Sequence, residues 1–316
     1  MKIHNLILSG GQFRGISYIG VIKAIEELNI LEDLENIIGV SSGAIFALMI
    51  ALGFNSKNLE SLMYALSLDH IMNVDSDNIF NVITTYGIDN GDNITRVFKI
   101  IIRKILKSEN ATFKDLYLKN PSFKLLILGT NLTEKRNEIF SFDTTPDMPL
   151  YIAMRITVSI PLYFEPVNYD GCEYIDGAFT NNFPINLFEE KVKNTLGILL
   201  SEKSSYRYSR SLSDYTYKII DCILSSPQNH FKNIYNENTI ELFINYNPLD
   251  LKFDKSTKEN LIDEGYKQFQ DKFKKTHFFD YYNKNKELTK SNDNESTISD
   301  IMINILHNEL ISNDLS

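Results

Sequence analysis

The chain has 316 residues, 43% of them hydrophobic, enough to bury a sizeable core in one large domain or two small ones. A formal net charge of -9 and an isoelectric point of about 5.2 argue against nucleic acid as a partner and leave any membrane contact apolar or local. Cys172 and Cys222 have no second Cys or His at metal-ligand spacing and read as buried thiols, and no aspartate run has the pattern of a calcium loop, so no metal and no cofactor is expected.

Residues 1–11 hold one lysine and an apolar run too short for a signal-peptide core. No segment reaches the roughly 18 apolar residues of a membrane span. A soluble, cytoplasmic protein is the expectation. Ile3 to Leu8 reads as a short buried strand, followed by Ser9-Gly10-Gly11 and a helical pattern in Ile16, Ile19, Ile22, Ile25 and Leu28. Ile37 to Val40 supplies a second strand that runs into Ser41-Ser42 and an apolar helix. Repeated strand-turn-helix units of this kind predict a mostly parallel sheet with helices on its faces.

Farther along, Asp92 to Lys107 reads as a helix, and Lys124 to Gly129 and Glu138 to Phe142 read as strands. Leu150 to Val158 is helical, and Cys172 to Ile175 is a short strand before Asp176-Gly177-Ala178. Strands follow at Thr195 to Leu200 and Thr239 to Asn245, with helices at Ser213 to Leu224 and Lys258 to Phe273. Between Ser56 and Lys107, side chains such as Met63, Tyr64, Phe80 and Tyr86 belong either to core helices or to a lid or lipid-facing surface. These elements place one α/β domain over residues 1–280, a polar linker over 281–297, and an amphipathic helix over 298–316. Ile298, Ile301, Met302, Ile305, Leu306 and Leu310 form the stripe of that helix, which either docks on its own domain or binds a partner.

The chemistry concentrates in three short stretches. Gly39-Val40-Ser41-Ser42-Gly43 fits G-x-S-x-G, in which the middle serine sits on a sharp strand-to-helix turn and the flanking glycines let the turn form. Ser41 is the candidate nucleophile, and Ser42 begins the helix behind it; a serine cap on an ordinary helix is the alternative. A serine hydroxyl needs a base and a set of donors for the oxyanion it creates. Ser9-Gly10-Gly11-Gln12-Phe13-Arg14-Gly15 offers backbone amides at a helix N-terminus, and its spacing matches neither dinucleotide-binding nor P-loop patterns. Asp176, at the end of a short strand and before two small residues, is the candidate base, with a solvated turn aspartate as the alternative.

In that order, SGGQFRG, GVSSG and DGA resemble the patatin-like phospholipases, as do YIGVIKAIEEL, SIPLYFEPV and NNFPI. The likeness runs from about residue 3 to about residue 273. It implies a three-layer α/β/α fold with a mostly parallel central sheet, the patatin-like variant of the α/β-hydrolase architecture. It further implies a lipid acyl hydrolase of phospholipase A type, acting through a Ser41-Asp176 dyad without histidine and through an acyl-enzyme. Gly10, Gly11 and Gln12 would supply oxyanion-hole amides, Arg14 and Gly15 would position the loop or a phosphate, and Gly39 and Gly43 would form the nucleophile elbow. The substrate would be a phospholipid or other acyl lipid met in transient membrane association, with a protein activator or partner docking through the 298–311 helix. Gln12 departs from the family's third glycine: a side chain there is harmless at negative φ and strained at positive φ.

Two other readings compete. A Ser-Asp-His triad would need His230 or His277, since His4 and His70 come too early and His307 lies in the tail helix. A binding module that keeps the fold but has lost or gated its activity would be signalled by Gln12 and by the appended helix.

Overall fold

The computed structural model describes residues 1–67, 71–72, 82–202, 211–246 and 254–285. In chain order, β1 (Asn5–Leu8) leads through a 3-10 turn (Gln12–Ser17) into α1 (Tyr18–Glu27), and β2 (Asn36–Gly39) leads into α2 (Ser42–Ala51) and α3 (Ser56–Ala65). Short α4 (Val82–Thr85) and β3 (Gly87–Asp89) precede α5 (Asp92–Leu106), α6 (Phe113–Lys119) and the hairpin of β4 (Lys124–Asn131) with β5 (Arg136–Ser141). Then come α7 (Leu150–Thr157), β6 (Leu162–Phe164), β7 (Val167–Tyr169), β8 (Cys172–Asp176) and α8 (Ala178–Asn181). The remainder is β9 (Thr195–Ser201), α9 (Leu212–Ile234), β10 (Thr239–Phe243), α10 (Lys255–Phe273) and α11 (Phe279–Asn285).

The main sheet runs β10-β9-β1-β2-β4-β8-β7, with β5 also paired to β4. Strands β10, β9, β1, β2 and β4 are parallel neighbours. Alternate residues along these strands enter different cores: Leu6, Leu8, Ile37, Leu196 and Ile198 pack with α1 and α10 residues such as Ile22, Ile25 and Phe269, whereas Ile7, Ile38 and Leu199 pack with Phe183, Ile185 and Phe231. Both faces of the sheet are therefore covered, which explains the unbroken apolar runs LIL, IIGV and LGILL. This is the expected three-layer α/β/α arrangement.

The strand β4 has an unusual set of neighbours. Residues 126–131 pair along one edge with β5, while on the opposite edge residues 124–127 pair with β2 and residues 129–131 with β8. Because β2 is parallel to β4 and β8 antiparallel, the two approach head-on: Gly39 lies opposite Ile127 and Asp176 opposite Gly129. The turn after β2 and the end of β8 thus meet at one point.

Several expectations are revised. Helix α9 continues to Ile234, well beyond Leu224, and passes through Pro227. Pro227 has no N–H for the carbonyl of Ile223, and Ile223 is exposed there. Cys222 is exposed on this helix and Cys172 only partly buried, so neither is a fully buried thiol. The segment expected as a linker from 281 begins inside α11, where the buried Tyr282 hydroxyl accepts from Ile3 N–H at 2.8 Å and donates to Asp33 at 3.0 Å. The rest of that linker and the tail helix, with His307, lie outside the described residues, as do His70 and Phe80. Met63 packs against the core, Tyr64 bonds to Glu60, and Tyr86 is exposed.

Candidate active site

The turns that follow β1 and β2 lie side by side at the carboxyl ends of the parallel strands, where the order reverses about β1. That is where an open α/β sheet leaves a crevice. Ser41 stands at the apex of the second turn with φ 52° and ψ -125°, a sparsely populated conformation. A capping serine would have an extended backbone and bond to the first helical turn, whereas Ser41 makes no side-chain cap. Ser42 begins α2, as the motif predicts.

The flanking glycines are demanded by backbone contacts. A Cβ on Gly39 would come within 2.3 Å of Ala44 Cα, and one on Gly43 within 2.3 Å of Leu8 O and 2.5 Å of Ser9 O. Their absence lets α2 start directly against β1. The Ser41 N–H donates to Thr157 Oγ1 at 2.9 Å, and Thr157 is fully buried at the end of α7. Replacing Thr157 with Val leaves this buried N–H without an acceptor, so stability should fall by about 1–3 kcal/mol in urea unfolding.

Asp176 closes β8 from the other direction. Its N–H donates to Ser159 O at 2.9 Å, its carbonyl accepts from Thr130 Oγ1 at 2.8 Å, and its Oδ1 accepts from Ala178 N–H at 2.9 Å. The residue is 2% exposed and the Ser41 residue 6% exposed. Burial pushes the Asp176 carboxyl up from its ordinary 3.8 to about 7, while the Ala178 N–H and the facing Ser41 hydroxyl pull it down. A solvated turn aspartate would have neither this burial nor this shift. The Asp-Gly pair itself follows from packing, since a Cβ on Gly177 would meet Leu128 O at 2.2 Å.

The glycine turn after β1 packs against the serine turn, where a Cβ on Gly10 would come within 3.0 Å of Ser41 Cβ. Gly10 N–H donates to Asn182 Oδ1 at 3.0 Å, and Gly11 N–H donates to Ser42 Oγ at 3.0 Å. Gln12 has φ 53°, the positive value at which its side chain is strained, and its Oε1 is buried with no partner. Its own N–H opens the 3-10 turn and has no partner among the described residues. Arg14 donates through Nε to Gly11 O at 3.2 Å and pairs with Glu202 at 3.4 Å, so its buried guanidinium holds the loop. Gly15 leaves room for Ser42, whose Oγ and Cβ a side chain there would meet at 2.8 Å. Gln12→Gly should relieve both the strained backbone and the unpaired oxygen, raising stability by about 1–2 kcal/mol, readable from the urea midpoint.

Gly10, Gly11, Gln12, Arg14, Ser41 and Asp176 all line one cavity of about 460 Å³, whose far wall is α9. His4 pairs with Glu35, the His230 ring lies tilted beside Phe231 and His277 contacts Lys193 O; none of these three lines the cavity. Among the described residues no cluster of His, Cys, Asp and Glu is arranged to hold a metal. Three positioning groups escaped the sequence reading: Thr157, Ser159 and Asn182, the last donating to Gln228 Oε1 of α9 at 2.6 Å. Ser159 and Asn182 do fall within the SIPLYFEPV and NNFPI segments, which were the only signal for them.

Known proteins resemble this chain in sequence and in fold. The chain is 34% identical over 199 residues to an uncharacterized protein of Acanthamoeba polyphaga mimivirus, covering 62% of this chain and 65% of that one. It is 29% identical over 184 residues to a probable lipid hydrolase of Invertebrate iridescent virus 6, covering 58% of this chain and 62% of that one. The match thus spans under two thirds of either viral relative. The crystal structure of VipD from Legionella pneumophila superimposes with a TM-score of 0.53 at 16% identity, over 86% of this chain and 66% of that one, a likeness of fold. The family model described as patatin-like phospholipase matches residues 6–188, a span that holds the cradle, the elbow and the Asp-Gly-Ala turn. With the motifs, the fold and this match in agreement, the chain belongs to the patatin-like phospholipase family.

Proposed function

We propose that this protein is a lipid acyl hydrolase of phospholipase A type, cleaving fatty-acyl esters through Ser41 and Asp176. The observation that carries the reading is the pairing of a strained, apex serine with a buried aspartate whose proton affinity is raised to about 7. An aspartate of ordinary acidity is a poor base for a hydroxyl; one near neutrality is matched to the task. Ser41 attacks the ester carbonyl as Asp176 takes its proton, and the tetrahedral oxygen is held by cradle amides. Of these, Gln12 N–H is uncommitted among the described residues, and those of Gly10 and Gly11 become available as Asn182 and Ser42 yield to the substrate oxygen. Collapse expels the lysophospholipid or other alcohol, which regains a proton from Asp176, and Asp176 then activates water against the acyl-enzyme.

The direct test is reaction with a fluorophosphonate, followed by peptide mapping, together with mass spectrometry of fatty acids released from mixed phospholipid vesicles. Label on Ser41 and fatty acid in solution support the reading; an unlabelled, folded protein that releases nothing sinks it. The positive φ of Gln12 favours a second reading, a lipid-binding member with a weakened oxyanion hole. Under that reading Gln12→Gly would restore fatty-acid release that the wild type lacks.

A further inference from the structure

One amide of the glycine turn is held by a chain of two carboxamides that ends on α9. Gly10 N–H donates to Asn182 Oδ1 at 3.0 Å, and Asn182 Nδ2 donates to Gln228 Oε1 at 2.6 Å. A backbone N–H can only donate, so the bond from Gly10 fixes which end of Asn182 carries the oxygen, and that in turn fixes Gln228. Asn182 is 6% and Gln228 8% exposed, so water has little access to either bond. The fit is close at the cradle: a Cβ on Gly10 would stand 2.5 Å from Asn182 Oδ1.

The two ends of this chain belong to different parts of the molecule. Asn182 follows α8, whose first residue, Ala178, donates its N–H to the Asp176 carboxylate. Gln228 belongs to α9, beyond the residues 6–188 that match the family, and lines the cavity with Asp221, Ser225 and Lys232 of the same helix. Pro227, just before it, cannot donate to the carbonyl of Ile223, so this turn is one bond short of a complete helical ladder. The Asn182 carboxamide is one planar group. It cannot turn its oxygen away from Gly10 without also taking its nitrogen away from Gln228.

We infer that Gln228 is a positioning residue for the oxyanion loop: through Asn182 it keeps the Gly10 amide committed in the resting site and sets how readily that amide turns to the substrate oxygen. This deepens the hydrolase reading and rests on it for the use of the amide. Release of Gly10 by a turn of Asn182 breaks two buried hydrogen bonds instead of one, and the second is the contribution of α9. Both residues line the cavity that receives the ester, so the contact is at the site and not behind it.

The test compares the wild type with Gln228→Leu, which removes the acceptor, with Gln228→Met, which keeps the length and accepts only weakly, and with Gln228→Glu, which keeps an acceptor. Hydrogen exchange of the Gly10 amide, read by NMR on the full chain without substrate, should be roughly fivefold faster in the first two variants. Amides of β1 and β2 should exchange as in the wild type, which shows that the sheet is intact. For a water-soluble butyrate ester, kcat should rise by roughly the same fivefold with KM little changed, and Gln228→Glu should return both readouts to wild-type values. A loss of packing alone would lower kcat and would not be rescued by Gln228→Glu. Unchanged or slower exchange at Gly10 overturns the inference, and so does faster exchange with kcat unchanged or lowered. Absence of butyrate hydrolysis in every protein, wild type included, overturns the hydrolase reading instead, and exchange at Gly10 still decides whether Gln228 holds that amide.

Discussion

At pH 8 the Asp176→Asn protein should be more stable than the wild type and at least roughly 10^3-fold slower in ester hydrolysis. In the folded wild type the carboxyl has been raised from 3.8 to about 7, because ionising it means charging a buried group. A group raised on folding contributes its stability below the unfolded value and loses it as pH climbs through the folded value. The wild type should therefore weaken between about pH 4 and pH 7, by on the order of 4 kcal/mol at 1.4 kcal/mol per pKa unit. Asparagine keeps an acceptor for the Ala178 N–H but has no charge to bury, so its stability should be flat over that interval. Urea unfolding of both proteins at pH 5, 6, 7 and 8 reads the difference; parallel curves would mean that Asp176 is ionised in the fold at little cost. In the same window wild-type turnover should rise with pH, since the base must be ionised to accept the proton from Ser41. Ser41→Ala should remove turnover as completely, without the pH-dependent gain in stability, and the contrast separates the nucleophile from the base.

Gly43→Ala should destabilise the protein by about 3 kcal/mol and suppress any ester hydrolysis in the fraction that folds. The added methyl would stand 2.3 Å from Leu8 O and 2.5 Å from Ser9 O, both backbone atoms that no rotamer change can move aside. Relief requires α2 to draw back from β1, and Ser41 draws back with it from the glycine turn. A displacement of about 1 Å at reacting groups is enough for roughly 10^2-fold in rate. Gly53→Ala is the matching control. Gly53 has φ +90° but nothing within 4 Å of an added Cβ, so its substitution costs about 1 kcal/mol in backbone strain and leaves turnover unchanged. Equal effects of the two substitutions would show that the close approach of α2 to β1 is dispensable.

The parts of this site that could be read from the chain are those held by local sterics. Gly39 is dictated by Gly43 and Ala44 within its own strand-turn-helix unit, whose order is visible as an apolar run, a small-residue turn and a second apolar run; Gly43 answers instead to Leu8 and Ser9 on the neighbouring strand and was legible only through the motif. The long strands were equally legible because burial on both faces leaves an uninterrupted apolar signature. Thr157 was not legible: it acts on Ser41 from 116 residues away, and nothing distinguishes a helical threonine that accepts one N–H from any other. Asn182, 172 residues from Gly10, is the same case. Strands β3, β6 and β7 are three residues each, too short to show a period of two. The exposure of Cys222 and the full length of α9 depend on which helix face the sheet covers, which is a property of the assembled layers.

The head-on meeting of β2 and β8 makes β4 the ruler of this molecule. Neither strand is aligned to the other; each is indexed to β4, Gly39 against Ile127 and Asp176 against Gly129. A slip of one residue in either pairing would move its end by about 3.3 Å and turn its side chains to the wrong face. Both pairings join segments distant in the chain, so each must close a long loop before it forms. A chain in which either pairing is unmade consequently holds Ser41 and Asp176 apart, and the proposed chemistry needs β4 to have received both neighbours.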